Sequence, residues 1–243
     1  MTRFLCCCSA VLLLAGCGGG GSYTDPHAPL RYGDRVVGSQ NGVDVHRIAF
    51  AGAGGAPVYG FLATPHRAGR YPAVLFLHGS GGTSSDFLQW AEALAGVGVV
   101  GMTIQQPNDA VDYTPLVVNA RRALDALQHL HDVDGSRLGV LGFSLGAQTA
   151  AILAGVDGRV RAASLASGRG TDEVLREVRH AHAHFLVEAG RRDEIVPQAQ
   201  LQALARAVPQ PKRVRWFDAP HTLTYDAIVG QTKWLESQLG AAR

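Results

Sequence analysis

Short apolar runs alternate with amphipathic segments through most of this chain. Ala73-Val-Leu-Phe-Leu77 is continuously apolar, the pattern of a strand buried on both faces of a parallel sheet. Similar runs recur at Val97 to Ile104, Leu138 to Phe143, Val160 to Leu165, Phe185 to Val187 and Val214 to Phe217. Helical periodicity fills the gaps, over Ser85 to Ala95, Thr114 to Leu130, Leu145 to Ala154, Asp172 to Arg179, Gln198 to Ala207 and Tyr225 to Leu239. In the second of these, Arg121, Arg122, Asp125 and Gln128 form a polar face opposite Leu116, Val117, Ala120, Leu124 and Leu127. Upstream, Val43 to Phe50 and Val58 to Ala63 flank the glycine-rich Ala51 to Pro57 and predict a hairpin with a longer loop. Strict alternation of strand and helix predicts an α/β fold, a doubly wound and mostly parallel sheet flanked by helices. Ligands then sit at the carboxyl ends of the strands.

The N-terminus departs from this texture. Arg3 followed by the apolar stretch Phe4 to Leu14 and small residues has the build of a signal peptide. Its apolar run is shorter than the ~20 residues a spanning helix needs. Leu14-Ala15-Gly16-Cys17 resembles the lipobox of bacterial lipoproteins, which implies cleavage before Cys17 and lipidation of that residue. The expected organisation is a signal peptide over 1–16, a lipidated cysteine and flexible tether over 17–30, and one domain over 31–243. Gly18-Gly-Gly-Gly-Ser22 supplies the flexible composition. That arrangement places the protein in a bacterial cell envelope, anchored to a membrane on the periplasmic side or at the cell surface.

Cysteine usage agrees with this organisation. The chain has four cysteines, Cys6, Cys7, Cys8 and Cys17. Once the signal peptide and the lipid site are set aside, none is left for a disulfide, a zinc–thiolate site or a thiol nucleophile. The formal net charge of +2 falls to +1 without Arg3, and no basic stripe is present, so a nucleic-acid partner is not expected. The stretch from Arg31 to Gly240 is long enough for one sizeable core.

The candidate chemistry starts at Gly142-Phe-Ser-Leu-Gly146, which lies between a predicted strand and a predicted helix. Small residues flanking a sharp strand-to-helix turn allow Ser144 to take a strained conformation with its hydroxyl exposed. A nucleophilic serine needs a base. Among ten histidines, His221 follows the strand ending at Phe217, while His78 is a rival at the end of its own strand. A carboxylate is needed to orient the imidazole. Asp193 in Gly190-Arg-Arg-Asp-Glu-Ile-Val-Pro197 is favoured, with Glu194 and Asp172 as competitors. The chain order is serine, acid, histidine. Backbone N–H groups must also receive the developing oxyanion. One is expected from Leu145, after the serine, and the second from Ser80 in His78-Gly-Ser-Gly-Gly82, with Gly79 and Gly81 as alternatives.

Other patterns are weaker. His180-Ala-His-Ala-His184 looks like a metal box but has no completing carboxylate or cysteine, so no metal is expected. The glycine-rich loop after His78 lacks a third glycine at Ser84, which argues against a dinucleotide cofactor. The two lysines, Lys212 and Lys233, are far from Ser144 in sequence, which disfavours a serine–lysine dyad.

With these motifs in order, the chain resembles the α/β-hydrolase superfamily and, within it, the dienelactone-hydrolase-like group, over Ala56 to Leu239. The resemblance implies an ester hydrolase without a cofactor, acting on a small-molecule ester. Dienelactone hydrolases proper carry cysteine where this chain has Ser144, which favours a general serine esterase. A peptidase or amidase with the same triad, or a catalytically idle envelope-binding lipoprotein, are the competing expectations. Only one short helix is expected between Ala166 and Ala183, so no large cap domain is expected, and the site should be open and suited to short acyl groups.

Overall fold

The computed structural model describes residues 23–25, 29–108 and 112–240. Nine strands form one sheet in the order β1-β2-β3-β5-β4-β6-β7-β8-β9. The strands are β1 (Gly33–Gln40), β2 (Val43–Ala51), β3 (Pro57–Pro65), β4 (Tyr71–Leu77), β5 (Val100–Ile104), β6 (Val133–Phe143), β7 (Val160–Ala166), β8 (His184–Gly190) and β9 (Lys212–Phe217). The helices are α1 (Leu88–Ala95), α2 (Thr114–His129), α3 (Leu145–Val156), α4 (Asp172–Val178), α5 (Gln198–Ala207) and α6 (Tyr225–Leu239). Strands β4 to β9 pair in parallel, and β1, β2 and β3 extend the sheet antiparallel beyond β5.

The apolar strands are continuous because both faces of the sheet are covered. Along β4, Ala73, Leu75 and Leu77 pack into the core shared with α2 and α3, whereas Val74 and Phe76 pack with α1 and α6. The chain leaves β4 for β5 on one side and returns to β6 on the other. The carboxyl ends of β4 and β6 therefore flank a crevice of the kind that binds ligands in doubly wound sheets. Between β7 and β8 only the seven-residue α4 intervenes, so the sheet carries no large cap.

The differences from the expected boundaries are local. β1 was not expected. All its residues are exposed, so it lacks the apolar alternation by which a strand is recognised, and it is held by backbone pairing to β2. α1 starts at Leu88 rather than Ser85, because the Thr83 amide and hydroxyl donate to Asp86 in a local turn that competes with the helix. β5 starts at Val100 rather than Val97, after a turn with Gly98 at φ 84° and the Val99 amide bonded to the Leu94 carbonyl. The fold also reaches further upstream than Arg31. Tyr23 is 2% exposed, its hydroxyl bonds to Glu173, and Arg121 donates to its carbonyl at 2.9 Å. Cys17 and the signal segment lie outside the described residues.

Candidate active site

Ser144 has φ 54° and ψ −116°, a conformation that costs a side-chain-bearing residue on the order of 1–3 kcal/mol. The turn is packed closely on both sides of it. A Cβ on Gly142 would lie 2.2 Å from the Gly146 carbonyl oxygen, and one on Gly146 only 2.0 Å from that of Leu77. The Ser144 amide is fixed by a 2.9 Å bond to the Ala166 carbonyl on β7. The hydroxyl is thereby held at the carboxyl end of β6, and Leu145 opens α3 with an amide that has no carbonyl four residues back within the helix.

His221 reaches this hydroxyl from the loop between β9 and α6. Its Nε2 lies 2.9 Å from Ser144 Oγ, and its Nδ1 lies 2.8 Å from Asp193 Oδ2. The His221 and Asp193 side chains are 6% and 0% exposed. Because an ionised carboxylate only accepts, Nδ1 donates to Asp193 and Nε2 is left to accept from Ser144. Asp193 cannot swing away, since its Oδ1 accepts from the amides of Ile195 (2.9 Å) and Val196 (2.8 Å). The acid and histidine loops meet at Gly190, where a Cβ would lie 2.2 Å from the Pro220 carbonyl. Arg191 and Arg192 amides then donate to the Phe217 and Ala219 carbonyls.

The structure thus brings Ser144, His221 and Asp193 into one hydrogen-bonded chain. Among the described residues Glu194 accepts only from the backbone amide of His221, at 3.3 Å. Asp172 lies at the start of α4. His78 is buried and engaged elsewhere: its Nε2 accepts from the Gln106 amide (3.0 Å), and its Nδ1 faces the Gly79 carbonyl (2.8 Å). That leaves the loop after β4 as a type II turn, with the Gly82 amide bonded to the Gly79 carbonyl and Gly81 at φ 74°. A Cβ on Gly79 would stand 3.1 Å from that of Ser144, so this backbone runs directly beside the serine, and Ser80 follows at the exposed corner of the turn.

Comparison with known proteins places this architecture. Residues 103–227 match the dienelactone hydrolase family, and residues 31–115 match the acetyl xylan esterase family. The chain belongs to the dienelactone hydrolase family. As a family member it is a hydrolase acting on ester bonds. Its fold is shared by an acetyl xylan esterase from Paenibacillus sp. (19% identity, 87% of this chain and 90% of that one, TM-score 0.75). Acetyl xylan esterase 1 from Thermoanaerobacterium sp. superposes with TM-score 0.76 at 14% identity, over 87% and 89% of the two chains. A dienelactone hydrolase-like promiscuous phosphotriesterase from metagenomic libraries gives TM-score 0.71 at 19% identity, over 82% and 100%.

Several residues around the site of this dienelactone hydrolase family member carry no pattern visible in sequence. Ser167, at φ 53°, donates its hydroxyl to the His221 carbonyl (2.8 Å) and its amide to the Glu188 carbonyl (2.8 Å). Gln106 returns a bond from its amide side chain to the His78 carbonyl (2.9 Å), and Gln105 accepts from the Ser84 amide (3.1 Å). A polar pair directly after an apolar strand is the one cue that marks Gln105 and Gln106. Burial pushes the Glu188 carboxyl up, against the opposing pull of Gln231 and Arg215. His182 and His184 are exposed, and His184 bonds to Gln238 (2.6 Å). No cluster of three or more potential ligands suited to a metal occurs among the described residues. Lys212 caps α5 through the Ala205 and Val208 carbonyls, both at 2.7 Å.

Next to His221 the surface opens into a cavity of about 250 Å³ between α1 and α6, walled by Phe87, Trp90, Phe143, Leu223 and Ile228. Phe143 joins the cavity to the hydrogen-bonded chain, since its ring lies 5.1 Å from the His221 imidazole.

Proposed function

We propose that this protein is a serine carboxylesterase in which Ser144 is the nucleophile, His221 the general base and Asp193 the residue that orients it. The observation that carries the reading is the Asp193–His221–Ser144 chain, with bonds of 2.8 and 2.9 Å anchored on a strained elbow. His221 takes the Ser144 proton as Oγ adds to the ester carbonyl. The oxyanion accepts from the amides of Leu145 and Ser80. Collapse of the tetrahedral intermediate breaks the bond to the alcohol oxygen, which leaves with the proton from His221. Water, deprotonated by the same imidazole, then releases the acid and restores Ser144. Asp193 stays ionised throughout and stabilises the imidazolium.

A short acyl group in place of a long acyl chain belongs to the same proposal. Two neighbours in structure are named acetyl xylan esterases, and a sheet without a large cap offers no long acyl tunnel. Anchoring through a lipidated Cys17 to a bacterial envelope membrane is also proposed, from the signal-peptide build and lipobox of 1–17. Among the described residues no helix is long and apolar enough to cross a membrane.

The test of the chemistry is hydrolysis of a chromogenic acetate ester by the purified domain, with fluorophosphonate labelling in parallel. Ser144→Ala is expected to lose both, and wild-type turnover in that variant would overturn the mechanism. For the anchor, the full chain expressed in bacteria with radiolabelled palmitate is expected to carry label that Cys17→Ala lacks.

A further inference from the structure

The cavity beside His221 is larger than an acetyl or methyl group requires. An apolar cavity of about 150 Å³ is enough for benzene, and this one offers about 250 Å³. Its walls are formed in advance. Phe87 stacks on Phe76 at 5.7 Å between ring centroids, and Trp90 leans on Tyr225 at 5.0 Å. Phe87, Trp90 and Leu223 are buried, while Tyr225, 67% exposed, stands at the mouth.

Among the polar side chains of the lining, Gln89, Thr222 and Tyr225 are exposed to solvent, whereas Asp86 and Gln231 are engaged by the protein itself. Asp86 accepts from the Thr83 hydroxyl (2.8 Å) and amide (3.2 Å). The Gln231 amide nitrogen donates to buried Glu188 at 2.6 Å. An occupant rich in hydroxyls would find aromatic carbon where it needs hydrogen-bond partners, and burying an unpaired hydroxyl is unfavourable. An aromatic or alicyclic ring would fill the space and gain contact with several rings at once.

On the basis of the esterase mechanism above, we infer that this cavity binds a ring-sized apolar group of the substrate, carried on one side of the scissile ester. The reacting carbonyl sits at Ser144 and the ring lies against Phe143, Trp90 and Ile228. Ile228 sets the depth, because it reaches the cavity from α6 without taking part in the hydrogen-bonded chain.

The ring can arrive on the acyl or the alcohol side, and three esters separate the two: methyl acetate, methyl phenylacetate and benzyl acetate. One of the two ring esters is expected to show kcat/KM at least tenfold above methyl acetate, since each buried methylene is worth about fourfold. Ile228→Trp, which fills the cavity, is expected to remove that advantage, lowering kcat/KM for the preferred ring ester at least tenfold more than for methyl acetate. Ile228→Ala, which enlarges it, is expected to shift preference toward the corresponding naphthyl ester. The inference is overturned if neither ring ester exceeds methyl acetate, or if both Ile228 variants change all three substrates by the same factor. Failure of the underlying mechanism shows separately, as hydrolysis of methyl acetate that persists in Ser144→Ala.

Discussion

Replacing Asp193 by Asn alters one atom of the proposed triad and inverts its chemistry. The two amides of Ile195 and Val196 point at Oδ1, at 2.9 and 2.8 Å, so the Asn oxygen is bound to that side. Turning the amide over would set an NH2 group against two N–H donors and forfeit both bonds in a buried place, at about 1–3 kcal/mol for each unsatisfied group. The Asn NH2 therefore faces His221 Nδ1 across the present 2.8 Å contact. Nδ1 must then accept, the ring proton moves to Nε2, and Nε2 meets Ser144 Oγ as a donor instead of a base. A change of this kind in a serine protease, with geometry retained, lowers kcat ~10⁴-fold, about 5.5 kcal/mol of transition-state stabilisation. The assay is steady-state hydrolysis of a chromogenic acetate ester, with thermal melting to show that the fold is intact. Glu194→Gln is the matched control: the Glu194 carboxylate accepts from the His221 amide at 3.3 Å and not from its ring, and less than a tenfold loss is expected. The reasoning is refuted if Asp193→Asn keeps more than a tenth of wild-type kcat, or if the Glu194 variant is the more damaged of the two.

Three further outcomes are expected. Gly146→Ala drives a methyl group to 2.0 Å from the Leu77 carbonyl, where only backbone can give way; a loss of about 3 kcal/mol or more should lower Tm by roughly 6–12 °C, and an unchanged melting curve would contradict the elbow packing. Ser167→Ala deprives the buried His221 carbonyl of its 2.8 Å donor and should cost about 1–2 kcal/mol in urea denaturation, with kcat falling more than KM rises; an unchanged kcat would show that the hydroxyl does not position His221. Burial alone raises the Asp157 carboxyl, but Arg159 and Arg121 outweigh it and hold the group below its ordinary value. A depressed folded-state value contributes stability above the unfolded carboxylate value of about 3.9 and loses it as pH falls through the folded value. Urea midpoints at pH 7, 4 and 3 should therefore drop in wild type and drop less steeply in Asp157→Asn; parallel slopes would remove Asp157 from the account.

What could be read ahead of the structure divides by physical cause. β4 and β6 to β8 were legible because sheet strands covered on both faces must be apolar along their length, and the observed strands contain the expected runs with extensions of one to five residues at an end, such as Val133 to Arg137. α5 and α6 begin and end where their periodicity does. β1 escaped because an exposed edge strand is specified by its partner's backbone and not by its own side chains. In the site, Ser144, Asp193 and His221 stand at strand ends with recognisable spacing, and the structure brings them together. Ser167, Gln105 and Gln106 could not be foreseen in the same way. Each acts through a hydrogen bond to a segment distant in sequence (54 positions for Ser167 and His221), and single contacts of that kind leave no period. The cavity between α1 and α6 was hidden for a related reason, since the expectation of an open site was drawn from the missing cap and not from helix packing on the far side of His221.

The hydrogen bond between Ser144 and His221 spans 77 positions, and that separation has a temporal meaning. At a synthesis rate of about 5–20 residues per second, the imidazole emerges roughly 4–15 s after the serine. The segments that hold the Ser144 turn, Leu77 on β4 and Ala166 on β7, both precede His221 in the chain, so the elbow is complete in sequence before its proposed base. Under the proposed mechanism, a chain that has not yet reached His221 is therefore silent toward esters. In that mechanism turnover begins only when β9 has joined the edge of the sheet and the loop after it has carried His221 to Ser144, so the first reaction also marks a nearly completed molecule.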